Sequence, residues 1–139
     1  GDISHSRVAH TNIEVMERLG MEVYISGPEE YNDGSARYLD FDEACKTCDV
    51  IMLLRVQFER HSESMSITKE EYHARYGLTM DRVNNMKENA IITHPAPFNR
   101  GVEIADEVVE CHKSRIYKQM TNGVYTRMAV ISMVLEGKL

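Results

Sequence analysis

Cysteine is scarce in this chain of 139 residues, with three in all. An odd, low count gives no disulfide framework and is expected of a reducing, intracellular setting. Cys45-Lys-Thr-Cys48 has the spacing of a metal or redox pair, but no second CxxC and no HxxxH pair completes a zinc set. A redox CxxC lies between a strand and a helix. This one closes a short helical pattern and precedes a strand, so both thiols read as inert helix-face groups. The six histidines are scattered without ligand spacing. No apolar run approaches the roughly 18 residues of a membrane-spanning helix, and no membrane partner is expected. The first residues show no basic stretch followed by an apolar core, so nothing there reads as a signal peptide. Positive charge is also in deficit. The net charge of −6 disfavours a general nucleic-acid or anionic-membrane surface and leaves room for a local cluster of arginines. No GxGxxG is present, which removes the fingerprint of a dinucleotide-binding protein, and no cofactor is expected.

What is present is ordinary globular composition, 42% hydrophobic and 27% charged, at the length of one domain spanning residues 1–139. Helical and strand patterns alternate. Residues 6–19 place Val8, Ala9, Ile13, Met16 and Leu19 near one helical face, and Gly20 ends the run. Residues 22–26 read as a short strand. Asp40 caps a short helix from Phe41, and residues 49–54 form a continuous apolar run of strand length. Thr68 and Thr79 cap two further helices, stopped by Gly77 and about Asn85. Residues 90–93 read as a second buried strand, followed by helices over roughly 113–119 and 124–136. This alternation predicts an α/β fold, doubly wound, with a mainly parallel sheet, helices on both faces and a Rossmann-like arrangement. One feature is out of place. Gly1-Asp-Ile-Ser-His-Ser-Arg7 reads as a strand-to-helix turn with no strand before it. The sheet is therefore expected to lack its first strand, and the chain to be a piece of a longer protein.

Ligands bind at the carboxyl ends of the strands in such sheets. Three segments lie there. Arg55-Val-Gln57-Phe-Glu59-Arg60 follows the apolar strand, and strand alternation points Arg55 and Gln57 the same way if extended geometry persists. An arginine fork suits a carboxylate or phosphate, and pairing with Glu59 is the structural alternative. His94-Pro95-Ala96-Pro97-Phe98-Asn99-Arg100-Gly101 holds two of the three prolines, which leave carbonyls without competing donors. A rigid turn, with a cis bond feasible, is the alternative there. Ser4-His-Ser6-Arg7 opens the first helix, whose N-terminus favours anions. Together Arg7, Arg55 and Arg100 suit a small dianion such as a dicarboxylic acid.

These segments, with Lys113-Ser-Arg-Ile-Tyr-Lys-Gln-Met-Thr-Asn-Gly123-Val-Tyr-Thr-Arg127-Met-Ala-Val-Ile131, resemble the C-terminal half of the aspartate carbamoyltransferase family, in order from the first residue to about Ile131. The resemblance implies the aspartate-binding half of a cytoplasmic, two-domain, homotrimeric enzyme. That enzyme transfers a carbamoyl group from carbamoyl phosphate to the amine of L-aspartate in pyrimidine synthesis. By the same resemblance Arg7 binds one carboxylate of aspartate, and Arg55 and Gln57 bind the other. Glu59 orients Arg55, and the loop at Pro95, Ala96 and Pro97 contacts the carbamoyl and amine groups. No residue of this half is singled out as catalytic. Carbamoyl phosphate would be held by the other domain, whose Ser-Thr-Arg-Thr-type motif is absent here, so the isolated chain is expected to be inactive. Two other readings compete with this one. An ornithine carbamoyltransferase typically has Cys-Leu-Pro after the corresponding histidine, where this chain has Pro95-Ala96-Pro97. A non-catalytic interaction or regulatory module fits poorly with an intact Arg7, Arg55 and Gln57.

Overall fold

A computed structural model describes residues 1–56 and 67–138. Gln57 and Glu59 lie outside the described residues. The chain opens with a turn into α1 (Arg7–Arg18), followed by β1 (Tyr24–Ile25), a 3-10 turn at Glu29–Tyr31 and β2 (Arg37–Tyr38). Then come α2 (Phe41–Thr47), β3 (Val50–Met52), α3 (Lys69–Tyr76), α4 (Met80–Asn84), β4 (Ile91–Thr93), α5 (Asp106–Val109) and α6 (Ile116–Leu135). The helix starts are written in their caps. Asp40 accepts from the backbone N–H groups of Asp42 and Glu43. Thr68 and Glu71 form a reciprocal capping box, each side chain closing on the other's backbone.

Both strand pairs are parallel. β1 runs beside β2 with Tyr24 opposite Arg37, and β3 beside β4 with Ile51 opposite Ile92. Pairing continues past β3, where the Leu53 N–H donates to the Thr93 carbonyl at 2.9 Å. On its other side β4 bonds to Lys113–Arg115 through both groups of Ile92. The fold is thus α/β with parallel strands. The larger core surrounds β4, with Leu78, Val83, Ile92, Ile104, Val108 and Ile116 fully buried. A smaller one joins Ile3, Ala9, Ile13 and Ile25 to Leu54.

No pairing links β1 to β3 among the described residues. Between them lies a cavity of about 1040 Å³, lined by Val23–Ser26 on one side and Val50–Leu54 on the other. Among the described residues each of these strands is bonded along one edge only, so two open edges face the cavity.

Three elements depart from the sequence reading. β2 has two exposed residues and no alternation to betray it. α5 is a single turn. The two helices expected over 113–119 and 124–136 are one helix, α6, which runs through Gly123. A Cβ at Gly123 would meet nothing within 4 Å, so no packing demand accounts for the glycine, and its helix cost of about 1 kcal/mol is too small to break the run.

Candidate substrate-binding site

The first wall is the start of α1. The Ser6 hydroxyl accepts from the Ala9 N–H at 3.1 Å, which fixes the helix start. Arg7 is the first helical residue, exposed, with no ion pair among the described residues. The turn before it is pinned by the Gly1 amine, which donates to the Ser26 carbonyl. Backbone passes so close here that a Cβ on Gly27, at φ +154°, would meet Gly1 backbone atoms at 2.3 Å. Only glycine fits that contact.

The second wall is the end of β3. Leu54 joins the Ile3 and Ala9 cluster, tying this strand end to the start of α1. Arg55 follows, half-buried. Val56 is buried, and its carbonyl accepts from Asn99 Nδ2 at 2.9 Å. That bond ties the second wall to the third.

The third wall is the loop after β4. Pro95 and Pro97 are exposed and Ala96 half-buried. The Ala96–Pro97 bond is cis, and Ala96 has φ +56°. That left-handed conformation costs a non-glycine residue about 1–2 kcal/mol, so something must hold it. The holder is His94, whose Nδ1 accepts from the Ala96 N–H at 3.0 Å. The Pro95 and Ala96 carbonyls have no partner among the described residues, which leaves them able to accept from a ligand.

Arg100 does not join this group. Its guanidinium is bonded to the Asp106 carboxylate at 3.0 Å and lies over the Phe98 ring, turned to the start of α5. The thiol pair is also apart from the site. Cys45 is 1% exposed in the main core, and burial pushes its thiol up to about 12, which is unfavourable for a thiolate ligand or nucleophile.

Sequence reasoning overlooked three residues in the third wall: His94, Asn99 and Glu103. His94 and Glu103 are 0% and 2% exposed. A glutamate between Val102 and Ile104 in an apolar stretch was the available signal, since a buried carboxylate must have local donors.

The geometry therefore joins one exposed arginine, one half-buried arginine and two unbonded carbonyls at the end of a parallel sheet. The profile of the aspartate/ornithine carbamoyltransferase family, Asp/Orn binding domain, matches residues 1–134. The chain belongs to this family. Aspartate carbamoyltransferase catalytic subunits from Listeria monocytogenes serovar 1/2a and Enterococcus faecalis are 55% and 52% identical to it, over 98% and 99% of the chain. The chain spans 46% of the length of each of these relatives. Among solved structures, aspartate transcarbamoylase from Trypanosoma cruzi, in complex with carbamoyl phosphate, superposes with a TM-score of 0.78 at 22% identity. It covers 94% of this chain and 46% of that one. Ornithine carbamoyltransferase from Burkholderia thailandensis superposes with 0.76 at 19% identity, covering 98% and 46%. At such identities the superpositions establish the carbamoyltransferase fold, and the choice between aspartate and ornithine rests on other grounds.

Proposed function

We propose that this domain is the L-aspartate-binding half of an aspartate carbamoyltransferase, working beside a second domain that holds carbamoyl phosphate. The observation that carries the reading is the joining of Arg7, Arg55 and the 95–97 loop through Leu54 and Asn99. Two guanidinium groups suit a ligand with two carboxylates, whereas ornithine has one carboxylate and a second amine. The relatives that are more than half identical are aspartate enzymes by name. Gln57 and Glu59 enter as neighbours of Arg55 in sequence, the first on the same carboxylate and the second orienting the guanidinium.

Arg7 takes one carboxylate and Arg55 the other. The Pro95 and Ala96 carbonyls accept from the amine and the carbamoyl NH2, while Pro97 fixes the turn. The amine attacks the carbamoyl carbon, a C–N bond forms, the C–O bond to phosphate breaks, and the amine gives up one proton to the departing phosphate. This half supplies position, a contribution worth several kcal/mol of barrier. Stabilisation of the developing charge and of the leaving phosphate comes from the other half, so the isolated chain does not turn over. The full-length protein is, on this reading, a cytoplasmic homotrimer serving pyrimidine synthesis.

The test is a titration of the full-length protein, with carbamoyl phosphate present in unreactive analogue form, against L-aspartate, succinate and L-ornithine. Aspartate and succinate are expected to bind and ornithine to leave no heat. Saturable ornithine binding with none by aspartate overturns the proposal. Turnover by the chain alone overturns the statement that it is inactive.

A further inference from the structure

The buried side chains behind the third wall form a connected set. Glu103 Oε1 accepts from the Asn99 N–H at 2.5 Å and lies 3.5 Å from His94 Nε2. Asn99 Nδ2 reaches the Val56 carbonyl beside Arg55, and His94 Nδ1 holds the Ala96 N–H. The His94 backbone N–H is fixed in turn by Gln119 Oε1 of α6 at 3.1 Å, and the His94 ring stands edge-on to Phe98. A ring nitrogen that accepts a hydrogen bond carries no proton, so the ring proton is on Nε2, facing the carboxylate. A side-chain acceptor that takes the N–H two residues on acts as an Asx turn does, and it is what keeps Ala96 at positive φ. His94 Nε2 and Glu103 Oε2 are both buried without a hydrogen-bond partner among the described residues. Apolar side chains of similar volume would avoid that desolvation cost. The pair is better explained by what it holds than by what it contributes to stability.

We propose that His94 and Glu103 are positioning residues for carbamoyl transfer: His94 sets the Ala96 backbone that receives the amine, and Glu103 fixes His94 and Asn99 so that this loop keeps its distance from the end of β3. The proposal rests on the function given above. It assigns the two residues to the approach of the amine to the carbamoyl carbon, while the carboxylates remain with the arginines.

The test is made in the full-length protein with His94→Leu, His94→Asn and Glu103→Leu. An amine displaced by about 1 Å loses about a hundredfold in rate, so His94→Leu and Glu103→Leu are expected to lower kcat about 100-fold. The KM for aspartate should stay within about threefold, because the groups that hold its carboxylates are untouched. Asparagine offers an oxygen to the Ala96 N–H, so His94→Asn should recover to within about tenfold of wild-type kcat. A general loss of packing would move KM and kcat together and would not distinguish Asn from Leu. The proposal is overturned if His94→Leu turns over at the wild-type rate, or if Asn and Leu are equally impaired. Should a leucine variant fail to fold, nitrogen-15 spectra of wild-type protein decide: Nδ1 bare and Nε2 protonated support the arrangement, and the reverse tautomer overturns it. If wild type forms no carbamoyl aspartate, the functional reading falls, while the spectra still test the hydrogen bond.

Discussion

β4 and α6 are both apolar in sequence, yet their surroundings are opposite. Ile92 in β4 is 0% exposed, bonded between β3 and Lys113–Arg115 and part of the main buried cluster. α6 begins with Ile116 at 0% and then leaves the body, with Val124 at 58% and Met128 at 61% exposed. Its stripe of Val124, Met128, Ile131 and Leu135 and its opposite side of Ala129, Val130, Met133 and Val134 both face outward. Apolar composition creates a demand for burial, and only a neighbouring element meets it. The difference teaches that one helix of this domain is built for contacts the described residues do not contain.

The largest effect that would break this comparison is on stability. Ile104→Ala removes a fully enclosed side chain and is expected to cost about 2–5 kcal/mol. Met128→Ala on the exposed stripe is expected to stay within about 0.5 kcal/mol. Urea midpoints for the two variants measure the contrast. Equal losses would show that α6 packs against something in solution.

Arg55 stands between the extremes, half-buried, and its effect should appear in function. In full-length protein Arg55→Ala is expected to lose a charged hydrogen bond to substrate of about 2–5 kcal/mol, some tens- to thousands-fold in kcat/KM. Arg55→Lys should also fail badly, since a point charge does not reproduce the fork. A variant within twofold of wild type at low aspartate rejects Arg55 as a ligand.

A smaller effect concerns association. With an apolar surface on both sides of α6, the isolated chain is expected to self-associate as its concentration rises. Glutamate at both Met128 and Ile131 should weaken that association at least about tenfold without a comparable loss of stability. Light scattering over a concentration series reads it. A wild-type chain that stays monomeric at high concentration, with protected amides along 124–136, contradicts the expectation.

The legible parts of the fold were those with local causes. Ser6, Asp40, Thr68 and Thr79 cap helices because their side chains reach N–H groups two or three residues on, a rule readable in sequence. β3 and β4 were legible as continuous apolar runs of strand length, although Ile51 alone is buried in β3 and Val50 is 50% exposed. β2 was not, since a two-residue exposed strand is defined by its partner alone. Arg7, Arg55 and the proline loop could be named from spacing and resemblance, and the structure ties their segments together. The resemblance also named Gln57 and Glu59, which lie outside the described residues. The His94–Glu103 pair was hidden, because nothing local tells a glutamate beside Val102 that it faces a histidine nine residues earlier. Arg100 was misread for a related reason: Asp106, six residues on, claims its guanidinium.

The smallest effect sharpens the same contrast between enclosed and open surroundings, using the thiols. Cys45 is enclosed in the main core, whereas Cys48 and Cys111 are half-buried. Burial penalises the Cys45 thiolate and raises the thiol from an ordinary 9.0 to about 12, with the nearby Arg82 opposing the shift and the Asp42 charge adding to it. A pKa that is higher folded than unfolded favours folding while the thiol stays protonated. The contribution is therefore complete below pH 9 and is lost as pH rises from 9 towards 12. At neutral pH Cys45→Ala should change stability by only about 1 kcal/mol, from lost packing. Between pH 9 and 11 the gap between variant and wild type should narrow, because only wild type has a thiol that ionises on unfolding while staying protonated in the folded core. Urea midpoints at pH 7 and 10.5 test this, alongside iodoacetamide labelling at pH 8. Cys45 should react more slowly than Cys48 or Cys111 until the chain unfolds. Equal labelling of all three thiols in the folded chain would place Cys45 in open surroundings and erase the contrast.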